Sequence, residues 1–365
     1  MKVIGLMSGT SMDGLDCCYA DISINKNYDF KYKIIDFKTV KFKEKLRDLI
    51  KKSIGSNDEP LLNDCSNELG YAFLEIVKSF IKNNEFDLIS MHGQTVRHLS
   101  KIESVQIGTP KNLYEYYKKP IIYNFREKDI MLGGNGAPLA PYLDWLLYKN
   151  SKKNIITLNI GGISNVTLLQ KDSKRDDVLG FDTGPGMCLI DSYVNLIWNK
   201  NYDLDGKLAN RGSIDFIMLD YLMKDQYVNK SCPKSISTEY YDMNYLNDLL
   251  NKFNNIDNYN FLRTLVRFTA LSIYKNIQFF ISNNKNYNLI LSGGGINNLT
   301  LISDLKDLFH NNQIFNSNEF NNIDNNIKEG LLMAVMGYSK YNNLYNNMPS
   351  VTGASKYESY GKVYE

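Results

Sequence analysis

Histidine and cysteine are scarce in this chain of 365 residues, and each scarcity removes a class of chemistry. The 3 histidines are too few for a histidine-rich metal centre. The 5 cysteines, at positions 17, 18, 65, 188 and 232, are odd in number, form no CxxC pair, and include two adjacent residues. They read as reduced thiols of a cytoplasmic protein, not as a disulfide scaffold. Long apolar runs are missing, and Met1 leads straight into strand-like VIGLM without a basic leader. Neither a signal peptide nor a membrane-spanning helix is expected. No excess of one charge exists: Lys+Arg number 42 and Asp+Glu 40, for a net charge of +2. That balance argues against nucleic acid and against a membrane surface as partners. A Walker A pattern and a complete GxGxxG are both absent, so P-loop and Rossmann readings lose their usual support.

What is present is ordinary globular composition, 43% hydrophobic and 22% charged, in a chain long enough for two domains. Strands are expected at 3–7, 15–24 and 32–42, and helices at 44–53 and 61–82, where apolar residues recur at helical spacing. A short strand at 86–91 ends in HGQT, a helix covers 110–118, and another strand covers 120–124. The Gly/Pro-rich stretch GGNGAPLAP (133–141) reads as a breaker and is taken as the domain boundary. Residues 154–170 then repeat the strand, glycine turn, strand plan of the N-terminus. Helices are expected near 140–149, 188–198, 262–281, 299–309 and 329–341, with a strand at the start of LILSGGGINN (289–298). The expected division is 1–138 plus about 345–365 against 139–344.

Glycine-rich stretches lie at expected strand ends: GTSMDG (9–14), NIGGISN (159–165), DTGPG (182–186) and SGGGINN (292–298). Consecutive backbone N–H groups at such turns can cradle phosphate oxygens, and glycine permits close approach. One such turn is weak evidence, since most glycine turns only reverse the chain. Several together, two of them in duplicated hairpins, point to one phosphate-bearing ligand held between two domains, where pockets tend to form.

The ordered motifs GLMSGTSMDGLD (5–16), HGQT (92–95), GGNGAPLAP (133–141), NIGGISN (159–165), GFDTGPG (180–186), LSGGGINN (291–298), KEG (328–330) and PSVTGAS (349–355) resemble the sugar kinase–actin–Hsp70 superfamily. Within it, they are similar to the anhydro-N-acetylmuramic acid kinase family along nearly the whole chain. That resemblance implies an α/β fold of two duplicated ribonuclease-H-like (actin-type ATPase) domains facing across a cleft. It implies ATP and Mg²⁺ as cofactors, a small sugar as substrate, and a homodimer. The reaction implied opens the 1,6 ether of the sugar with water and phosphorylates O6, in cell-wall recycling.

Carried over residue by residue, the resemblance makes Asp182 the catalytic base. The residues alone leave a turn-capping aspartate as the alternative. ATP is expected at Gly9, Thr10, Ser11, Met12, Asp13, Gly14, Leu15 and Asp16, and at Gly161 and Gly162. The adenosine end is expected at Gly293, Gly294, Gly295 and Asn297. Asp13 is the expected Mg²⁺ carboxylate, through water. Gln94, Thr95, Arg126 and Glu329 are expected at the sugar, with Arg126 suited to a lactyl carboxylate by a two-pronged contact. Without the resemblance, Arg126 is a solvated arginine and Glu329 an acidic residue at a helix start. His92 reads as structural. The sequence departs from the family pattern at Met187, where DTGPG is usually followed by Asn, and at Asn135, where Gln is common. The rival readings are an ATP-driven machine of the actin or Hsp70 type, a non-catalytic sugar binder, and a kinase of a related sugar.

Overall fold

The computed structural model describes residues 1–9, 12, 14–232, 234–236, 238–278, 286–309, 313–321 and 327–365. The chain forms two compact units. The first comprises Met1–Lys149, Lys174–Val178 and Asn326–Glu365; the second comprises Asn150–Ser173 and Leu179–Asn325.

The first unit opens with strands β1 (Lys2–Ser8), β2 (Gly14–Ile24) and β3 (Phe30–Lys41). Helices α1 (Glu44–Ser53) and α2 (Glu59–Ile81) follow. Asp58 caps α2, its carboxylate accepting the Leu61 N–H at 3.3 Å, and Pro60 sits in the first turn, where a missing N–H costs nothing. Strands β4 (Leu88–Leu99) and β5 (Glu103–Ile107) make a hairpin. Helix α3 (Lys111–Tyr117), strand β6 (Ile121–Tyr123) and helices α4 (Glu127–Met131) and α5 (Ala140–Tyr148) complete this part of the chain. β1 pairs antiparallel with β2 and parallel with β4; β2 pairs antiparallel with β3, and β4 parallel with β6. β3 is the outer strand and carries Lys31, Lys33, Lys38 and Lys41, charges that discourage edge-to-edge pairing.

The second unit begins with β7 (Asn154–Ile160), β8 (Ile163–Leu169) and β9 (Leu179–Pro185). Helices α6 (Cys188–Trp198), α7 (Phe216–Leu222), α8 (Met243–Lys252) and α9 (Asn258–Gln278) follow. Then come β10 (Tyr287–Ser292), α10 (Leu299–Leu308), β11 (Gln313–Asn316) and α11 (Ser317–Asn321). The strand order β9-β8-β7-β10-β11 repeats β3-β2-β1-β4-β6 of the first sheet. In both, an antiparallel three-strand meander is followed by two strands parallel to its first member. The two units are therefore a duplicated α/β plan. β10 is buried along its whole length, as suits a central parallel strand covered on both faces. Each unit has its own apolar core. One is built around Ile4, Leu6, Phe73 and Ile89, the other around Ile156, Phe181, Phe268 and Leu289.

The chain then returns to the first unit as α12 (Lys328–Tyr341), α13 (Pro349–Thr352) and β12 (Lys362–Tyr364), the last antiparallel to β6. Most expected elements are found within a few residues of their predicted ends. The differences have physical causes. HGQT lies inside β4, not after it, because pairing with β5 carries the strand on to Leu99. The units divide elsewhere than expected: α5 and α12 fall in the first unit. They pack together there, with Lys328 Nζ 2.7 Å from Asp144 and the Tyr142 and Ser339 hydroxyls 2.8 Å apart. GGNGAPLAP is no linker but a pinned loop. Asp129, 0% exposed, accepts from the Gly136 N–H and the hydroxyls of Thr352 and Tyr360 at 2.6–2.7 Å, and the Asn135 N–H reaches the Thr352 carbonyl at 2.8 Å. PSVTGAS thus packs back on the first unit as expected. Among the described residues no helix is long and apolar enough to cross a membrane.

α12 crosses the first sheet at very short range. A Cβ on Gly5 would collide with the Gly330 carbonyl and stand 2.6 Å from the Ala334 nitrogen. Ser90 on β4 donates its hydroxyl to the Met333 carbonyl of α12 at 2.5 Å. Gly5→Ala is therefore expected to lower stability by about 1–3 kcal/mol, as overpacking does. An unchanged denaturation midpoint for this variant would show that the helix does not lie this close.

Candidate active site

In the first unit the turn after β1 is organised by Gln94, which is 1% exposed. Its Oε1 accepts the Ser8 hydroxyl at 2.5 Å, and its Nε2 donates to the carbonyls of Gly9 and Thr95, each at 3.3 Å. The Gly9 carbonyl also accepts the Met12 N–H at 3.2 Å. Met12 is left-handed (φ 57°), with its side chain against the core. Thr10, Ser11 and Asp13 lie outside the described residues. Gly14 is bare because a Cβ would collide with the Val40 carbonyl of β3, and Leu15, 1% exposed, points into the core. For these two only the backbone is left to meet a ligand.

Asp16 sits on β2 and accepts the Thr39 hydroxyl at 2.5 Å; burial raises its pKa. A Cβ on Gly9 would stand 3.4 Å from Glu329 Oε2, so the first turn of α12 borders the Gly9 turn. Burial first, and then the Asp16 charge, push the Glu329 carboxyl up to about 7, against smaller opposing effects of Lys328 and Arg126.

Arg126 reaches the same neighbourhood from the start of α4. Its Nε donates to His92 Nε2 at 2.9 Å and its Nη1 to the Gly136 carbonyl at 2.7 Å. Since a guanidinium only donates, His92 Nε2 must accept. The imidazole proton then sits on Nδ1, 2.8 Å from the Gly93 carbonyl. Burial, reinforced by Arg126, pulls the His92 pKa down to about 3. His92 is a neutral spacer that sets the guanidinium, as its structural reading anticipates. Thr95 accepts from Gln106 Nε2 at 3.3 Å. The expected sugar residues thus share one region of the first unit.

In the second unit the ends of β7, β9 and β10 lie along one edge of the sheet, since Ile163 pairs with Pro185 and Asn159 with Ser292. The carbonyls of Gly161 and Gly162 accept the N–H groups of Gly186, Met187 and Cys188 at 2.8–3.1 Å, closing the start of α6. Met187 has no side-chain cap to offer; its main chain does this work while the thioether packs half-buried against the core. Gly293 (φ 85°) and Gly295 let the β10 turn press on β7, as a Cβ on Gly293 would meet the Ile160 carbonyl at 2.6 Å. Nothing lies within 4 Å of a Cβ on Gly294, and Asn297 donates to its carbonyl at 3.2 Å.

Asp182 is 8% exposed and lies on β9 opposite Asn165. Its Oδ2 accepts the Ile236 N–H at 2.9 Å, its own N–H donates to the Lys234 carbonyl at 3.4 Å, and its carbonyl accepts the Tyr227 hydroxyl at 3.0 Å. The sequence reading missed Lys234, Ile236 and Tyr227. CPKSIS carries no periodicity, and one lysine in a lysine-rich chain gives no signal of burial. Among the described residues no cluster of three or more His, Cys, Asp or Glu could hold a metal ion.

Two units of repeated strand order, each with a glycine turn at the tip of its first hairpin, define a duplicated ribonuclease-H-like fold of the kind shared by actin-type ATPases and sugar kinases. The family described as anhydro-N-acetylmuramic acid kinase matches residues 1–365, and the chain belongs to that family. It is 37% identical over 377 residues to the anhydro-N-acetylmuramic acid kinase of Clostridioides difficile (strain 630), covering 100% of this chain and 98% of that one. It is 34% identical to those of Francisella tularensis subsp. novicida (strain U112) and Bacillus cereus (strain G9842), covering 99% and 100% of this chain and 97% and 99% of the relatives.

The raised carboxyl of Glu329 has a sign that can be checked. A carboxyl whose folded pKa exceeds its unfolded value binds more protons when folded. Its contribution to stability falls as pH rises from about 4.5 to about 7 and is flat above. Glu329→Gln is expected to flatten that decline and to raise the melting temperature above pH 7 without ligand. Parallel pH–stability curves for the two proteins would show that Glu329 is not desolvated.

Proposed function

We propose that this chain is an ATP-dependent kinase of 1,6-anhydro-N-acetylmuramic acid, acting in cell-wall recycling. Water adds its oxygen to C1 as the C1–O6 bond breaks, and its proton passes to the Asp182 carboxylate. O6 takes the γ-phosphoryl group of ATP, ADP leaves, and Asp182 returns the proton to solvent. The product is N-acetylmuramic acid 6-phosphate. The observation that carries this reading is the setting of Asp182. It is a nearly buried carboxylate on a strand, with one oxygen on a backbone amide, and such a group suits an activated water.

Gln94, Thr95, Arg126 and Glu329 take the sugar in this reading, with Arg126 on the lactyl carboxylate. The turn at 9–16 and Gly161–Gly162 take the phosphates, and Gly293–Gly295 with Asn297 the adenosine. Asp16 is a hard oxygen donor whose charge reaches the Glu329 carboxyl that borders Gly9, and a cation would offset that charge, so this neighbourhood fits Mg²⁺. Asp13, in the same turn, is the residue assigned to hold it, and bound Mg²⁺ supplies neutralisation of phosphate charge. A cytoplasmic enzyme and a homodimer belong to the same reading, the latter open to light scattering.

The test mixes protein, Mg-ATP and the anhydro-sugar in ¹⁸O-water. ADP and a sugar phosphate labelled at C1 are expected. ADP formed without regard to sugar would favour an actin- or Hsp70-type machine, and product from another sugar a related kinase. Asp182→Asn is expected to lower kcat by roughly 10²-fold or more, the usual worth of a positioned base; near-normal turnover removes Asp182 from that role. Arg126→Lys is expected to raise the KM for the sugar about tenfold and leave that for ATP alone. An equal effect on an anhydro-sugar lacking the lactyl group would detach Arg126 from the carboxylate.

A further inference from the structure

Lys234 is buried where a lysine is unusual. It is 2% exposed, its Nζ donates to the carbonyls of Tyr227 and Val228 at 3.0 and 3.4 Å, and its ammonium stands 4.7 Å from the centroid of the Tyr227 ring. Fully buried lysines are rare and costly unless partnered. The groups it joins are the ones that hold Asp182. The Lys234 carbonyl accepts the Asp182 N–H, Ile236 two residues on donates to Asp182 Oδ2, and Tyr227, held by the lysine through its carbonyl, donates its hydroxyl to the Asp182 carbonyl. One side chain thus ties together groups that contact Asp182 at its carboxylate, its N–H and its carbonyl.

We propose that Lys234 is a positioning residue for the Asp182 carboxylate, fixing the carboxylate through the segment that carries the Ile236 N–H and the Asp182 main chain through the Tyr227 hydroxyl, and favouring its anionic form by its charge. This rests on the reading of Asp182 as the base. The surrounding electrostatics agree. Burial pulls the Lys234 pKa down, but only to about 8; the charges of Asp182 and Asp225 act upward on it, and that of Lys230 downward. Burial pushes the Cys232 thiol up to about 11, and burial and Asp182 raise the Tyr227 phenol, so both stay neutral. Asp225 is occupied by the hydroxyls of Tyr241 and Tyr245, each at 3.2 Å, and by the Val228 N–H at 3.0 Å.

The test compares Lys234→Met, which removes charge and donor, Lys234→Gln, which removes charge alone, and Lys234→Arg, which keeps charge, with Asp182→Asn alongside. For Lys234→Met, kcat is expected to fall roughly 10- to 100-fold, as displaced catalytic groups do, with the KM for ATP and sugar near wild type. The acid limb of kcat against pH is expected to move up by about 0.5–1 pH unit in both neutral variants, since an opposite charge nearby favours the anion. It is expected to stay in place in Lys234→Arg. If Lys234→Met does not fold, Lys234→Gln carries the same readout. An unmoved acid limb in the neutral variants, with any loss of kcat following loss of melting temperature, overturns the proposal while an inactive Asp182→Asn leaves the base assignment standing. An active Asp182→Asn overturns both.

Discussion

The amides of Gly186, Met187 and Cys188 end on the carbonyls of Gly161 and Gly162, and the arrangement of the second unit's edge depends on that exchange. The bonds join the β7–β8 turn to the end of β9 and the start of α6. They give the helix's first N–H groups partners that no side chain supplies. They also require Gly186 to be bare, since a Cβ there would collide with the Gly161 carbonyl. The β10 turn presses on the other side of β7 through Gly293 and Gly295, so one strand end organises both neighbours. Asp182, on the strand β9 that leads into Gly186, inherits its place from this frame.

The first unit solves the same problem differently. Its hairpin turn is tied by a side chain, the Gln94 amide, which takes the Ser8 hydroxyl and reaches the Gly9 carbonyl. Glycines at 5 and 330 then bring α12 down onto β1 and set Glu329 beside Gly9. Duplication fixed the strand order in both halves, and the turns diverged in what holds them.

The meander strands, α1, α6 and α10 were legible because periodicity and turn residues agree there. The glycine turns were legible as motifs, though not in what each glycine does: Gly14 and Gly186 make room for backbone, while Gly294 faces open space. β5 was missed because VRHLSKIESV has only weak alternation, and its pairing comes from the hairpin with β4. GGNGAPLAP misled as a boundary because Gly and Pro mark tight backbone as readily as linkers. Here the tightness belongs to Asp129, whose partners Thr352 and Tyr360 are more than two hundred residues away. The shell of Asp182 was invisible for the same reason: Tyr227, Lys234 and Ile236 are brought to it by folding, and nothing in their local sequence distinguishes a buried lysine from a solvated one.

Two carboxyls, Glu329 in the first unit and Asp182 in the second, are held by different contacts, and that difference has chemical content. Burial, and then the Asp16 charge, hold the Glu329 carboxyl above the ordinary carboxylate range, which favours the protonated form that can donate a hydrogen bond. Asp182 receives an amide N–H, a bond the anion accepts more strongly than the acid. Two acidic groups held differently can serve one as donor and the other as base. In the reaction proposed, water surrenders a proton while the ring ether oxygen becomes the phosphoryl acceptor. That chemistry needs one carboxylate kept ready to accept and gains from another that can donate to a sugar oxygen. A single aspartate in a glycine turn would not provide both. In the proposed reaction the two roles call for two acids held differently, Glu329 by burial beside Asp16 and Asp182 by the Ile236 amide.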